Sequence, residues 1–150
     1  MKTIKDLKQF LEKFNIPEET ISEYLKNKEI KIINKNIYLK NKNTQLLKNE
    51  IANDSLIYIQ LKYLSPSIHL LNFIKNNTKN VLKIKSDKRA LDFTYGKDLF
   101  TDLVTKHPKS EFKLGTYFII TYNNEILGFI EVAEKRLNNE FHIGDYLKEN

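Results

Sequence analysis

Residues 117–132 read YFIITYNNEILGFIEV, and this stretch decides the fold of the second half of the chain. Two β-rich runs, Tyr117–Tyr122 and Ile126–Val132, flank the pair Asn123-Asn124. Asparagine adopts positive φ more readily than other non-glycine residues, so the pair favours a tight turn. The stretch therefore predicts two antiparallel strands joined as a β-hairpin.

A strand and a helix are expected before this hairpin. Val81–Ile84 is a short apolar run typical of a strand, and Ser86 suits the cap of a following helix. Gly96 ends that helix, because glycine tolerates the left-handed backbone that terminates helices. Further short strands are expected at Phe112–Lys113 and Phe141–His142. Several short strands around one helix predict a small closed or nearly closed barrel.

The first half of the chain predicts two short helices followed by a β-hairpin. Apolar residues recur at helical spacing from Ile4 to Phe14, and Pro17 suits the first position of a second helix. After Glu29 the apolar period changes to two, around a turn at residues 34–36. One face of this hairpin is apolar. The other face carries Lys31, Tyr38 and Lys40.

Three more elements are expected before the midpoint of the chain. They are a helix capped by Thr44, a strand at Ile57–Leu61 and a helix begun by Ser65-Pro66. A polar, asparagine-rich break follows them. Residues 1–79 and 80–150 are therefore expected to form separate domains of an α+β protein.

Positive charge is concentrated in one segment. The formal charge of the chain is +6, yet residues 80–150 hold 11 basic and 11 acidic residues. Residues 26–48 contain Glu29 and seven lysines, and so account for the whole excess. The lysines are Lys26, Lys28, Lys31, Lys35, Lys40, Lys42 and Lys48. Clustered like charge indicates a polyanionic partner, although a solvated lysine-rich surface gives the same pattern.

Four residues of this segment are candidates for contact with RNA: Lys31, Lys35, Tyr38 and Lys40. A tyrosine between lysines on a strand can stack a base while the ammonium groups pair with phosphates. The alternative interpretation of Tyr38 is a half-buried strand aromatic. We expect this segment to share RNA binding with the second half of the chain.

Several kinds of chemistry lack support in the sequence. It contains no cysteine, and its histidines, His69, His107 and His142, lack the close spacing of zinc ligands. No glycine-rich phosphate-binding motif occurs. We expect no catalytic residue, no metal and no cofactor. The absence of a signal peptide and of a long apolar run favours a cytoplasmic protein without membrane association.

Several runs in the second half resemble a PUA domain, a small RNA-binding fold. The strand at Val81–Ile84 and the runs Ser86–Ala90 and Phe93–Leu99 look like its first strand and helix. Gly115–Ile120 and Ile126–Phe129 are similar to its later central strands. The resemblance implies that the second half binds RNA.

The ending Ile143–Lys148, with the length and order of the whole chain, resembles one PUA family, the ribosome-biogenesis factor Nip-seven of archaea and eukaryotes. The resemblance implies an archaeal member with an N-terminal α/β pre-PUA domain followed by a C-terminal PUA-type pseudo-β-barrel. It implies a non-catalytic protein that binds RNA during ribosome biogenesis, in large-subunit rRNA processing and assembly.

The same resemblance implies which residues contact RNA, because PUA domains use the first helix, the loop after it and the last strand. The matching residues are Lys85, Lys88, Arg89, Tyr95, Gly96, Lys97, Lys135, Arg136 and Lys148. The implied partners are pre-rRNA or rRNA, including uridine-rich single strands, and other ribosome assembly proteins. The chain is expected to act as a monomer.

Two other functions stay open at this point. The chain can be a protein-interaction adaptor whose barrel holds a partner, or a translation-initiation-associated PUA protein. The role of Tyr95 is open in the same way, since it precedes the helix-ending Gly96. Packing in the core is favoured for Tyr95, and stacking of an unpaired base is the alternative.

The lysine-rich segment yields a direct test. Replacing Lys31, Lys35 and Lys40 with glutamate is expected to lower RNA affinity and its dependence on salt, since a protein that neutralises fewer phosphates releases fewer counterions. Binding titrations across a range of salt concentrations measure both quantities. Unchanged affinity and salt slope would contradict a role of this segment in RNA binding.

Overall fold

The computed structural model describes residues 3–33, 36–42, 55–60, 63–100 and 112–144. These residues form a mixed α+β fold with four helices and two four-stranded sheets. Contacts divide the chain into a first unit, Met1–Glu12 with Ile16–Asn77, and a second unit, Lys13–Asn15 with Thr78–Asn150. Among the helices described, none has the length and apolar character needed to cross a membrane.

The first unit contains helices packed on an antiparallel sheet. Its helices are α1 (Ile4–Glu12), α2 (Glu18–Leu25) and α3 (Ile68–Asn77). Its strands are β1 (Lys28–Ile33), β2 (Asn36–Asn41), β3 (Ser55–Gln60) and β4 (Tyr63–Pro66). The strands pair in chain order, α1 contacts β1, and α3 contacts β3.

The core of the first unit is aliphatic. Eight of its described side chains are at most 1% exposed: Leu7, Leu11, Ile21, Ile37, Leu39, Leu70, Leu71 and Ile74. Leu7 and Leu11 lie one turn apart on α1, so the predicted apolar stripe of that helix is confirmed. Phe14 is the exception, because α1 ends at Glu12 and Phe14 packs in the second unit.

The hairpin of β1 and β2 is formed as the sequence predicts, but Asn36, expected in the turn, belongs to β2 and pairs with Ile33. Ile30 pairs with Leu39, and Lys31 pairs with Tyr38. Successive side chains of a strand point to opposite faces, so the apolar pair and the Lys31–Tyr38 pair lie on different faces. Leu39 is buried while Lys31 is exposed. The predicted separation is confirmed only in part, because Ile32 on the apolar face is 46% exposed and Lys40 on the lysine-bearing face is buried.

The predicted start of α3 is wrong by two residues. Ser65 and Pro66 belong to β4, where Pro66 pairs with Ile57 of β3. Ser67 caps the helix instead, and its Oγ accepts a hydrogen bond from the backbone N of Leu70 at 3.2 Å. Strand pairing, which local sequence does not reveal, outweighs the preference of Ser-Pro for a helix start. The helix predicted at Thr44 lies outside the described residues.

The second unit contains one helix and a sheet with the order β5-β6-β7-β8 in its described part. Its elements are β5 (Val81–Lys83), α4 (Asp87–Thr94), β6 (Tyr117–Tyr122), β7 (Glu125–Val132) and β8 (Leu137–His142). Strand β5 is parallel to β6, and the remaining pairs are antiparallel. The strand expected at Phe112–Lys113 is not formed.

The hairpin predicted at residues 117–132 is confirmed. Tyr122 pairs with Glu125, and the two residues between them, Asn123 and Asn124, have φ values of 50° and 65°. Two central residues with positive φ define the turn whose twist matches that of the strands. The local preference of asparagine therefore sets the pairing next to the turn, whereas an irregularity between Ile120 and Thr121 shifts the register of β6 and β7 by one residue farther along.

Both faces of the second sheet are buried. On one face, Phe93 of α4 packs with Phe118 and Ile130 in an aliphatic and aromatic core. On the other face, Phe14 contacts Phe129 edge-on, with ring centroids 5.4 Å apart. Phe141 lies 6.1 Å from the same Phe129 ring. Burial on both faces explains why β7 is an almost continuous apolar run rather than an alternating one.

The predicted barrel is not closed within the described residues. The sheet has β5 at one edge, and β8 at the other edge forms an isolated antiparallel bridge between Leu137 and Leu99. The two backbone hydrogen bonds of this bridge are 2.7 and 3.0 Å long. The bridge ties the loop after α4 to β8 and leaves the described sheet open.

Gly128 permits the close approach of β8 to β7, and its replacement is expected to destabilise the second unit. A Cβ atom added at Gly128 would lie 1.9 Å from the carbonyl oxygen of Phe141. We expect Gly128→Ala to lower the free energy of unfolding by about 3 kcal/mol, as overpacking against backbone does. Urea denaturation measures the change. The matched variant Gly115→Ala, with no atom within 4 Å of the added Cβ, should cost about 1 kcal/mol; equal losses would contradict the steric argument.

Candidate nucleic-acid interface

Helix α4 and the residues on either side of it carry six of the nine residues that the PUA resemblance implies. Ser86 caps it as predicted, its Oγ accepting a hydrogen bond from the backbone N of Arg89 at 3.4 Å. Gly96 follows its last turn with a φ of 96°, as the predicted helix-ending glycine requires. Lys85, Lys88 and Arg89 are all exposed near the start of the helix. The cap and the glycine thus fix both ends of the candidate surface.

An exposed stripe runs along the outer side of α4. Lys88, Leu91 and Tyr95 are spaced three and four residues apart, which places them on one helix face. Leu91 is 55% exposed and Tyr95 is 71% exposed. The favoured prediction that Tyr95 packs in the core is therefore wrong, since the inward positions of this helix are taken by Ala90 and Phe93. We call Lys88, Leu91 and Tyr95 the α4 stripe.

The loop after α4 is held in place by β8. Asn139 Nδ2 donates hydrogen bonds to the carbonyl oxygens of Phe93 at 2.9 Å and Lys97 at 3.1 Å. Asp98 Oδ1 accepts from the backbone N of Asn139 at 2.8 Å. Asp98 Oδ2 accepts from Arg136 at 3.3 Å. Four hydrogen bonds therefore position Tyr95, at the start of this loop, relative to the sheet.

Some of the predicted cations of the second unit are ion-paired and others are not. The ammonium of Lys97 lies 3.7 Å from the carboxylate of Asp92, and the guanidinium of Arg136 lies 3.3 Å from the carboxylate of Asp98. The remaining cations form no ion pair within the described part of the chain; they are Lys85, Lys88, Arg89 and Lys135. Unpaired exposed cations keep their charge available for phosphate oxygens. Lys148 lies outside the described residues.

Asp98 and Asn139 connect residues that the sequence predicted to contact RNA. Neither Asp98 nor Asn139 was itself among those predicted residues. Through them the helix end at Tyr95–Lys97 is joined to Arg136 in the turn before β8. Asn139 contacts Phe93, which lies 46 positions away in the sequence. No local pattern could reveal such a contact. Leu91 was also missed, although its spacing from Lys88 and Tyr95 was a usable signal.

The lysine-rich hairpin of the first unit offers fewer cations than its sequence indicates. Lys40 is only 9% exposed, and its ammonium contacts the carboxylate of Glu29. This contact, the nearby charge of Lys31 and that of Lys42 lower the pKa of Glu29. Lys31 is exposed opposite the half-buried Tyr38, so these two form the accessible part.

Two of the lysines chosen for substitution in this hairpin need separate treatment. Lys35 lies outside the described residues. Lys40→Glu would place a second carboxylate beside Glu29, and a change in RNA binding could then follow from repulsion within the hairpin. Lys31→Glu alone tests the accessible face, because Lys31 is exposed and has no described ion pair.

A titratable cluster lies on the sheet of the second unit, away from the α4 stripe along the sequence. Burial raises the pKa of Glu140, and the hydrogen bond and charge of Glu131 raise it further. Lys13 Nζ donates to the hydroxyl of Tyr117 at 3.3 Å and lies 4.8 Å from the centre of its ring. Burial raises the pKa of the Tyr117 hydroxyl, which Lys13 partly offsets.

The described residues place exposed cations near an exposed leucine and an exposed tyrosine of the α4 stripe. They contain no group of three or more histidine, cysteine, aspartate or glutamate side chains suited to a metal ion. No protein-family model matches the chain, and no curated protein matches it significantly.

Glu140 gives a pH-dependent prediction. A carboxyl whose pKa is raised by folding binds its proton more tightly in the folded chain, so the folded state loses stability as the pH rises through that pKa. Glu140→Gln removes this effect, and we expect the variant to be more stable than the parent near pH 7, with the difference shrinking toward pH 4. Urea midpoints at the two pH values measure it. Glu125→Gln, at the exposed hairpin turn, is the control; the same pH profile in parent and Glu140→Gln would contradict the expectation.

Proposed function

We propose that the chain is a non-catalytic RNA-binding protein whose second unit contacts unpaired RNA through the α4 stripe and the cations beside it. The observation that carries this proposal is the exposure of Tyr95, 71%, with Lys88 about two turns away on the same face of α4. An exposed aromatic ring can stack an unpaired base, and adjacent cations can hold the flanking phosphates.

The rigidity of the loop supports the same function. Asn139 and Asp98 hold the end of α4 against β8, so Tyr95 is positioned before any ligand arrives. A preorganised contact loses less conformational entropy on binding than a mobile one does. A fixed backbone at Tyr95 limits the positions that its exposed ring can take, which favours base stacking over the same ring on a free loop.

The finer identity is also a proposal: a Nip-seven-like protein with a pre-PUA domain at 1–79 and a PUA domain at 80–150. Its support is the sequence resemblance, together with the order of β5, α4 and the β6–β7 hairpin in the second unit. Ser86 and Gly96 stand at the two ends of α4, where the resemblance requires them. The pseudo-barrel of such a domain would need pairing beyond the open sheet described.

The cellular role follows from that proposed identity. The RNA would be rRNA or its precursor, including uridine-rich single strands, bound by a cytoplasmic monomer during assembly of the large ribosomal subunit. Other assembly proteins would be its protein partners. Lys31 and Tyr38 of the first unit would supply a second, independent contact with the RNA.

Substitutions on α4 test the RNA surface. We expect Tyr95→Ala to weaken binding of oligouridine by about 1–3 kcal/mol, the usual contribution of one stacked base, and Tyr95→Phe to retain it. The double variant Lys88→Gln, Arg89→Gln should reduce the salt slope of binding by about 0.7 for each phosphate that the protein no longer neutralises. Fluorescence anisotropy across salt concentrations measures both effects.

A matched pair of lysines controls for net charge. Lys5 and Lys79 are exposed and lie outside α4 and the lysine-rich hairpin. The double variant Lys5→Gln, Lys79→Gln removes the same charge and should leave the salt slope nearly unchanged. Equal changes of the salt slope in the two double variants, or unchanged oligouridine affinity of Tyr95→Ala, would contradict the proposed RNA surface. The protein-interaction adaptor would then be the remaining candidate function.

A further inference from the structure

An open groove lies in the first unit along α2 and beside α3. It is shallow and open to solvent, with a volume of about 430 Å³. Its lining residues are Glu19, Thr20, Glu23, Tyr24 and Phe73. Aromatic carbon forms its floor and two carboxylates stand on its rim. The groove belongs to neither of the RNA surfaces described above.

The floor of the groove is a stacked aromatic pair. The rings of Tyr24 and Phe73 have centroids 3.8 Å apart and planes inclined by 19°. The ammonium of Lys28 lies 4.5 Å from the Tyr24 centroid and covers the other face of that ring. A nucleobase therefore finds no free face on Tyr24. The groove offers ring edges and apolar carbon, which suit an aliphatic chain better than a flat base.

The rim of the groove is acidic on an otherwise basic protein. Glu19 and Glu23 lie one turn apart on α2, both are exposed, and neither forms an ion pair with a described residue. By contrast, Glu18 lies 3.6 Å from Lys8. Like charges at this helix spacing repel each other, so a cation placed between them relieves that repulsion. The same carboxylates repel the phosphates of RNA.

We propose that this groove binds a basic segment of a partner protein. Arginine or lysine side chains of that segment lie between Glu19 and Glu23, while their aliphatic stems and neighbouring apolar residues cover the Tyr24 and Phe73 rings. Charge complementarity selects this occupant over RNA. The site is independent of the proposed RNA function, because it uses no residue of the α4 stripe or of the lysine-rich face.

A pair of peptides tests the proposal on the full chain. The probes are a short peptide of alternating arginine and leucine and its counterpart with glutamate in place of arginine. We expect the arginine peptide to bind and to shift the backbone NMR signals of Thr20, Glu23 and Tyr24, and the glutamate peptide to leave them unchanged. Glu19→Gln with Glu23→Gln should weaken binding by about fivefold, the contribution of two exposed ion pairs.

A charge-matched variant separates the groove from general electrostatics. Glu12 and Glu134 are exposed and lie outside the groove, so Glu12→Gln with Glu134→Gln removes two carboxylates elsewhere. Binding of the arginine peptide by this control should stay within about twofold of the parent. Equal weakening in both double variants, or NMR shifts confined to residues outside the groove, would overturn the proposal. If oligouridine shifts the NMR signals of the groove residues, the groove binds RNA and the peptide proposal is overturned. If oligouridine does not bind the chain at all, only the proposed RNA function is contradicted.

Discussion

The two-sided burial of the β6–β7 hairpin is the constraint on which the second unit depends. Strand β7 carries five consecutive buried residues, Ile126–Ile130, so each face of the sheet needs a cover. Helix α4 covers one face through Phe93. Phe14 covers the other face, where it contacts the Phe129 ring beside that residue's cross-strand neighbour Phe141. Each buried aromatic side chain contributes several kcal/mol when its loss would leave a cavity. The geometry of the sheet thus determines where α4 must lie.

That placement of α4 explains the candidate interface. Because Ala90 and Phe93 face the sheet, Lys88, Leu91 and Tyr95 are left on the outer face of the helix. An exposed leucine and an exposed tyrosine contribute little to folding, since neither is removed from water. Their exposure near unpaired cations supports the proposed contact with RNA. The loop that begins at Tyr95 is fixed by Asn139, so the core and the interface share one set of contacts.

The first unit divides its charges differently. The hairpin uses Lys40 internally with Glu29, whereas Lys31 stays exposed opposite Tyr38. Helix α2 does the reverse: Glu19 and Glu23 stay without described partners beside an aromatic groove. A basic surface and an acidic groove within one unit suit two chemically different partners. The net charge of +6 does not reveal this separation of basic and acidic surfaces, because it sums charges that lie on different surfaces of the protein.

The sequence by itself determined the local elements: the Asn123-Asn124 turn, the Ser86 cap, the Gly96 helix end and the apolar stripe of α1. These depend on φ preferences, caps and periodicity, which act between residues close in the chain. The exposure of Tyr95, the burial of Lys40 and the start of α3 at Ser67 were decided by tertiary structure. In each case a distant strand or side chain competes with the local preference. Asn139 shows what local sequence cannot predict. Its side-chain hydrogen bond to the carbonyl oxygen of Phe93 joins residues 46 positions apart, and neither the helix pattern around Phe93 nor the strand pattern around Asn139 indicates it.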